Sequence, residues 1–227
     1  MCYDLKVSGV SFATITLSGL FALTHRQPIL GCLMLCYGIM QLSEVLIWRG
    51  IDTNNQRLNE IGTKLAKYSL PSHNIAIGIG VLIAYWAYKA QFKYWVPLVI
   101  GILVYIGVLI SYSRNKKVES KITPHCKLPE DKDRCTEISA RLQWPFPHSW
   151  YAVSFAISLA ILAIYIKPMF PNGVAIGSFY SILWIITCYL GKLNVQGSFW
   201  CWSAAMFSPL LVALTTYLSR NVVDLKS

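Results

Sequence analysis

The sequence predicts an all-α polytopic membrane protein whose single domain, residues 1–227, crosses the bilayer seven times. Hydrophobic residues make up 55% of the chain and charged residues only 13%, and the mean hydropathy is +0.49. This composition lies outside the ordinary range of soluble domains. The apolar residues also fall into separate stretches of about 20 residues, which is the length that a helix needs to span a bilayer.

Each apolar stretch is interpreted as one membrane span. The run from residue 98 to residue 104 is apolar at every position, and this excludes the alternating pattern of barrel strands. No secretory signal pattern is evident, so the first span is expected to remain in the mature protein. The predicted spans are residues 7–24, 29–48, 69–88, 94–113, 149–166, 172–190 and 197–218.

Two polar segments between spans have features of their own. The longest is the basic polar loop of residues 115–147. The other, residues 52–68, has the pattern of an amphipathic helix, which is expected either to lie at the membrane interface or to extend the third helix outward. Pro71 favours a break or a new helical start between the two. The apolar residues that recur at spacings of three and four are Leu58, Ile61, Leu65 and Tyr68.

The distribution of basic residues predicts the orientation. A path of seven spans places 14 lysines and arginines on the N-terminal side and 6 on the other side. Because positive residues are retained on the cytosolic side, the N-terminus is expected in the cytosol and the C-terminus outside or in a lumen. The net charge of +10 then indicates anionic lipid head groups at the basic loops as partners of this bilayer protein, and not nucleic acid.

One ionisable side chain lies well inside an apolar stretch. Glu44 shares a helical face with Gln41 and Trp48, which are three residues before it and four after it. A carboxyl in hydrocarbon is costly and usually faces a protein interior or a watery cavity, so it indicates a functional site. Glu44 is expected to bind a cation, shuttle a proton or bind a polar substrate. The alternatives are a structural hydrogen bond between helices and an acid that simply reaches the interface.

An up-and-down path brings further residues to the level of Glu44, because the odd-numbered spans begin where the second span ends. The sequence therefore predicts a cleft on the cytosolic side. The predicted ligand-binding or proton-coupling residues are Glu44, Gln41, His73, His148, Trp48, Trp150 and Trp202. No cofactor is indicated and no metal is predicted, because no typical ligand spacing occurs. The residues that would suit a metal best are Cys2, Cys201, His73 and His148.

Cysteines and small residues suggest packing more than chemistry. Cys126 and Cys135 in the basic loop could form a disulfide, but the predicted topology places them in a reducing compartment. Their pairing would therefore indicate the inverted orientation. Small residues on one stripe of a membrane helix favour close contact with a neighbouring helix. Such a stripe in the first span consists of Ser11, Thr14, Ser18 and Ala22.

Three short motifs carry a family resemblance. They are Met1-Cys2-Tyr3, Met40-Gln41-x-x-Glu44-x-x-x-Trp48 and Gly197-Ser198-x-Trp200-Cys201-Trp202. Together they resemble an uncharacterised family of small polytopic membrane proteins of large DNA viruses and protists. That family more often begins Met-Cys-Trp, so Tyr3 is a departure. The resemblance implies that these positions belong together, and it implies no particular activity.

The sequence predicts the first of three functions, and the other two are its alternatives. The first is a transporter or channel-like protein for a small solute or ion, which requires a polar path that reaches both faces. The second is an intramembrane enzyme acting on lipid, which requires a pocket that opens to the bilayer, with a nucleophile beside a base. The third is a noncatalytic membrane scaffold, which requires a packed bundle with Glu44 paired internally.

Overall fold

The computed structural model describes residues 4–88, 95–113, 120–123, 141–143 and 207–217. These residues are helical except for two short strands, β1 (Lys121–Thr123) and β2 (Arg141–Gln143), which pair antiparallel with Ile122 opposite Leu142. The helices are α1 (Leu5–Thr24), α2 (Pro28–Asp52), α3 (Gln56–Ser69), α4 (His73–Tyr88), α5 (Trp95–Ser113) and α6 (Phe207–Tyr217).

Four helical segments are long and apolar enough to cross a membrane: Leu5–Thr24, Pro28–Asp52, Gln56–Ala87 and Trp95–Ser113. Their outer surfaces are also apolar, since Leu17 is 66% exposed and Leu103 is 63% exposed. The prediction of a helical protein is confirmed for the described residues, and these four segments fit a membrane-embedded protein. The fifth and sixth predicted spans lie outside the described residues, as does the first part of the seventh.

Helices α1 and α2 form an antiparallel hairpin. The Asp4 carboxylate accepts a hydrogen bond from the Val7 N–H at 2.8 Å and caps α1, and Pro28 occupies the first turn of α2, where its missing N–H costs nothing. The predicted stripe of small residues packs inside the bundle. Ser11, Ser18 and Ala22 are buried, and the Ser208 hydroxyl donates to Ser18 Oγ at 3.3 Å. The packing interpretation of that stripe is therefore confirmed at Ser18 and Ala22.

Helix α3 runs directly into α4. The 3-10 turn Leu70–Ser72 joins them, and the backbone at both of its boundaries stays in the right-handed helical region. This continuous helix lies antiparallel to α2 along its length. Cβ atoms built at Gly80 and Gly62 would lie 2.5 Å from Ile29 Cα and 2.8 Å from the Ser43 carbonyl oxygen, respectively.

The amphipathic segment therefore lies beside the second half of α2 and not beyond its end. The helix that contains the third predicted span runs from Gln56 to Ala87, so the amphipathic segment extends that helix, which was one of the two expected arrangements. The packed face of α3 consists of its small residues, since Gly62, Thr63 and Ala66 are buried. Its apolar stripe faces outward, with Ile61 46% exposed and Tyr68 52% exposed.

Helix α5 packs antiparallel to α4. A Cβ atom at Gly101 would lie 2.7 Å from the Asn74 carbonyl oxygen, so the two backbones touch near the start of α4. Beyond α5, the backbone N–H and the backbone carbonyl of Ser120 both bond the side chain of Asn59 on α3. Its N–H donates to Asn59 Oδ1 at 3.2 Å, and its carbonyl oxygen accepts from Asn59 Nδ2 at 3.0 Å.

Helix α6 packs on the α1–α2 hairpin. Gln27, in the turn between α1 and α2, accepts a hydrogen bond from Thr215 Oγ1 at 2.6 Å and donates one to Thr216 Oγ1 at 2.7 Å. Because Ser208 lies beside Ser18 and Thr215 lies beside Gln27, α6 runs parallel to α1.

Candidate functional site

Glu44 lies in the interior of the described bundle. It is 0% exposed, and Gln41 and Trp48 on the same face of α2 are 1% and 5% exposed. This face is not the one that contacts α1 through Gly38, nor the one that contacts α3 through Ser43 and Ile47. The structure therefore brings the three predicted residues of α2 together on one buried polar face.

Trp48 differs in one respect from a usual interfacial tryptophan. Tryptophans at the ends of spans commonly form an aromatic belt toward lipid, as Trp95 does with 55% of its surface exposed. Trp48 instead packs inside, one helical turn beyond Glu44. It belongs to the polar face and not to the lipid surface.

Three further buried polar residues lie at the level of Glu44. Gly38 packs on Thr16, so the antiparallel register of α1 and α2 places Ser8 and Ser11 within about one turn of Glu44. Tyr112 lies about three turns beyond Gly101 on α5, close to the level of Thr63, to which the Ser120 N–H donates. All three are at most 1% exposed. We call Ser8, Ser11, Gln41, Glu44 and Tyr112 the Glu44 layer.

The Glu44 layer contains an unsatisfied hydroxyl. Ser11 Oγ is buried and has no hydrogen-bond partner among the described residues. A buried polar atom without a partner costs free energy unless a ligand or water supplies one. The Ser11 hydroxyl is therefore suited to bind a polar guest at this level.

His73 does not lie at the level of Glu44, although the sequence predicted that it would. It begins α4 and packs beside Tyr37, with 6.3 Å between the ring centroids. The residues that directly precede Tyr37 and His73 are also in contact, since Cys36 Sγ lies 3.1 Å from Ser72 Oγ. His73 is thus about two turns, roughly 10 Å along α2, from Glu44. The prediction treated residues 52–68 as lying outside the membrane, whereas α3 lies alongside α2 and shifts His73 inward.

Around His73 there is a second group of buried polar residues. His73 and Asn74 are both 0% exposed and Tyr37 is 4% exposed. The Leu70 carbonyl oxygen accepts from His73 Nδ1, and the Ser69 carbonyl oxygen accepts from Ser72 Oγ at 2.7 Å. These side chains bind carbonyl groups around Pro71, which supplies no N–H to the helix. We call Tyr37, His73 and Asn74 the His73 cluster.

The remaining predicted residues fall outside the described residues: His148, Trp150, Trp202, Cys2 and Cys201. The same is true of Cys126 and Cys135, whose pairing stays a prediction. Among the described residues, no three histidine, cysteine, aspartate or glutamate side chains come together as metal ligands.

Sequence reasoning missed Ser8, Ser11 and Tyr112 as site residues. Ser11 was recognised only as a small packing residue, and a tyrosine near the end of a span is typical of the aromatic belt. The sequence signal that could have identified Tyr112 is a polar hydroxyl near the end of α5, a helix without any charged residue. Only the helix register shows that these residues share a level with Glu44.

The arrangement can perform binding and proton exchange within the bilayer. A carboxyl, an amide, hydroxyls and a phenol supply donors and acceptors at one level of the described helices. Buried polar and ionisable groups in membrane proteins commonly mark solute or ion pathways and proton relays.

Comparison with known proteins adds no homologue to this account. No protein-family model matches the chain, and no curated protein and no solved structure is similar to it. The resemblance to the viral and protist family therefore stays a prediction. The chain is characterised by its own geometry: an apolar helical bundle with a buried acid.

Proposed function

We propose that this chain is a membrane transport protein, a transporter or channel, for a small solute or ion, in which Glu44 is the binding or coupling acid. One observation carries the proposal: Glu44 is 0% exposed on a helix that is apolar enough to span a membrane. Placing a carboxyl there is costly, and such acids are typical of ion and solute pathways. The hydroxyl groups of the Glu44 layer support the same function, because they can replace the hydration of a polar guest.

The proposed path follows the polar face of α2. Trp48, Glu44, Gln41 and Tyr37 succeed one another at spacings of three and four residues, and all are buried. They cover about 16 Å of the helix axis, which is more than half of the hydrocarbon thickness. A pocket that serves only an enzyme does not need polar residues over such a depth.

We further propose seven crossings with a cytosolic N-terminus. Helices α1, α2, the continuous α3–α4 and α5 alternate in direction, and α6 runs parallel to α1. A parallel α6 supports an odd number of crossings. Basic residues are also concentrated at the end of the bundle where α2 terminates, as expected for the cytosolic side. They include Lys6, Arg49, Arg57 and Lys121, while Lys64 and Lys67 lie further along α3, beside the stretch of α2 that contains Ser43.

Anionic lipid head groups are the proposed partners of that basic end. The hydrogen bonds between Ser120 and Asn59 hold the start of the 115–147 loop beside α3. The pairing of β1 with β2 joins its two ends. This places the exposed Lys121 at the same end as Arg57. Each basic residue near an anionic surface contributes about 1 kcal/mol of attraction.

The test compares reconstituted wild type with Glu44→Gln and Glu60→Gln. Proton, potassium and small neutral solute fluxes would be measured in vesicles of phosphatidylcholine and phosphatidylglycerol. Glu60 is a matched control, because it is a carboxylate on α3 that pairs with Lys64 at 4.0 Å and is partly exposed. Wild type and Glu60→Gln are expected to transport equally, whereas Glu44→Gln falls to the level of protein-free vesicles.

Two outcomes would contradict the proposal. Equal flux in wild type and Glu44→Gln would reject the role of the acid. Absence of flux in all three proteins would reject transport, and conversion of the vesicle lipids in the same samples would then indicate the enzyme. If the lipids stay intact and no flux occurs, the remaining interpretation is the noncatalytic membrane scaffold.

A further inference from the structure

His73 is the second ionisable group in the apolar part of the described bundle. Helix α2 as far as Trp48, helix α4 and helix α5 contain Glu44 and His73 as their only acidic or basic side chains. His73 lies beside Tyr37, close to the middle of the apolar stretch of α2, whereas Glu44 is about one turn from the end marked by Trp48. The two groups thus occupy different depths, about 10 Å apart.

The hydrogen bond of His73 fixes which ring nitrogen can take up a proton. A carbonyl oxygen only accepts, so His73 Nδ1, which is bonded to the Leu70 carbonyl oxygen, carries the hydrogen. The neutral ring then has its lone pair on Nε2. Protonation occurs at Nε2 and leaves the bond at Nδ1 intact, so the ring keeps its place in both protonation states.

The buried face of α2 connects the two groups. Gln41 lies one turn from Glu44, and Tyr37 lies one turn further, with its ring 6.3 Å from that of His73. The Tyr37 hydroxyl both donates and accepts, so it can pass a proton, and the Gln41 amide can hold a connecting water. The other titratable side chains on the described elements around His73 are Cys32 and Cys36 on α2 and Tyr105 on α5; Tyr68 and Lys67 on α3 lie five and six residues away along the helix.

We propose that the coupled ion is a proton, and that Glu44 and His73 form a two-station relay along the α2 face. In the forward step the Glu44 O–H bond breaks and an N–H bond forms at His73 Nε2, by way of the Tyr37 hydroxyl and water. The carboxylate and the imidazolium that result carry opposite charges. Glu44 is reset by a proton from the side of Trp48, and His73 releases its proton toward the opposite face.

This inference rests on the proposed transport function and names the ion of that same site. The test uses the full chain in vesicles of phosphatidylcholine and phosphatidylglycerol with a trapped pH indicator. A potassium diffusion potential would drive proton entry. His73→Gln removes the titrating nitrogen but keeps a polar side chain, and Tyr37→Phe removes only the hydroxyl. His25→Gln is the matched control, because His25 Nδ1 also bonds a carbonyl oxygen, that of Phe21 at 2.9 Å, yet His25 is only partly buried, at the end of α1.

We expect His73→Gln to lose proton flux to the level of protein-free vesicles, Tyr37→Phe to be slowed, and His25→Gln to equal wild type. If Glu44→Gln abolishes transport while both His73→Gln and Tyr37→Phe move protons at the wild-type rate, the relay is wrong and the transport function stands. Transport of potassium or solute that depends on Glu44 without proton movement would also overturn the relay. No flux of any kind in wild type would overturn both proposals. Should His73→Gln fail to fold, Tyr37→Phe decides, because it preserves the packing of the ring.

Discussion

Single polar side chains hold the described helices together in an otherwise apolar bundle. Gln27 shows this most clearly, because its amide accepts from Thr215 and donates to Thr216, with both bonds at 2.7 Å or less. The two threonines also bond carbonyl groups of their own helix. The bonds to Gln27 are therefore the ones that join α6 to the α1–α2 turn.

A double-mutant cycle between Gln27→Leu and Thr215→Val tests this contact. Interhelical hydrogen bonds in membranes contribute about 0.6 kcal/mol on average and up to about 1.7 kcal/mol. We expect a coupling free energy of unfolding in that range, measured by denaturation in detergent micelles. Thr53→Val is the control, because its hydroxyl is exposed and bonds Arg49 within the same chain segment. Additive effects of Gln27→Leu and Thr215→Val would contradict the contact.

Of the residues in the candidate site, only those on α2 could be predicted from the sequence. Glu44 was identified because an acid is rare in an apolar stretch, and its burial agrees with that reasoning. Ser11 and Tyr112 could not be assigned to it, because their types are common in spans and their levels depend on packing. The depth of His73 differs from the predicted one for a similar reason, since it depends on the packing of α3 beside α2.

At the scale of elements, the close contact between α2 and α3 determines the position of the third span. A Cβ atom at Gly62 would lie 2.7 Å from Ile47 Cγ1 as well as 2.8 Å from the Ser43 carbonyl oxygen. Small residues let membrane helices approach in this way. The apolar side chains of α3 then remain on the outside, where they continue the exposed stripe that includes Ile79 and Trp86 on α4.

Gly62→Leu is predicted to destabilise the protein, because the new side chain meets backbone that cannot yield. The expected loss is about 1–3 kcal/mol of unfolding free energy, measured by thermal or denaturant unfolding in micelles. Gly107→Leu is the matched control, since a Cβ atom there has nothing within 4 Å. That substitution should be neutral or slightly stabilising, because leucine favours helix more than glycine does. Equal destabilisation by both substitutions would show that the α2–α3 contact is not as described.

The helices that contain the first, second and fourth predicted spans have nearly the predicted bounds, whereas the helix that contains the third begins 13 residues earlier, at Gln56. The charged residues Glu60, Lys64 and Lys67 lower the hydropathy of α3, so the amphipathic segment was separated from the span. In the structure these charges lie on a face away from α2, where Glu60 pairs with Lys64. Helix α3 packs on α2 through small residues, so its apolar stripe does not mark the face that contacts α2. The stripe marks the exposed face of α3 instead.

At the scale of the whole molecule, the described helices have an apolar exterior and bury polar groups at different depths. The Glu44 layer lies toward the end where basic residues concentrate, and the His73 cluster lies near the middle of the apolar stretch of α2. The polar face of α2 joins them. Buried polar groups of this kind are typical of proteins that move polar cargo through lipid, and in the proposed transport function the basic end is the entry side.

The central claim is that Glu44 lies within the bilayer and takes part in transport. The most direct measurement is the reaction of the vesicle-embedded protein with carbodiimides, with the modified carboxyls identified by peptide mass spectrometry and the flux measured in parallel. A lipid-soluble carbodiimide is expected to modify Glu44 and abolish flux, whereas a water-soluble one modifies Glu60 and leaves flux unchanged. Modification of Glu44 only by the water-soluble reagent, or full flux after Glu44 has been modified, would contradict the claim.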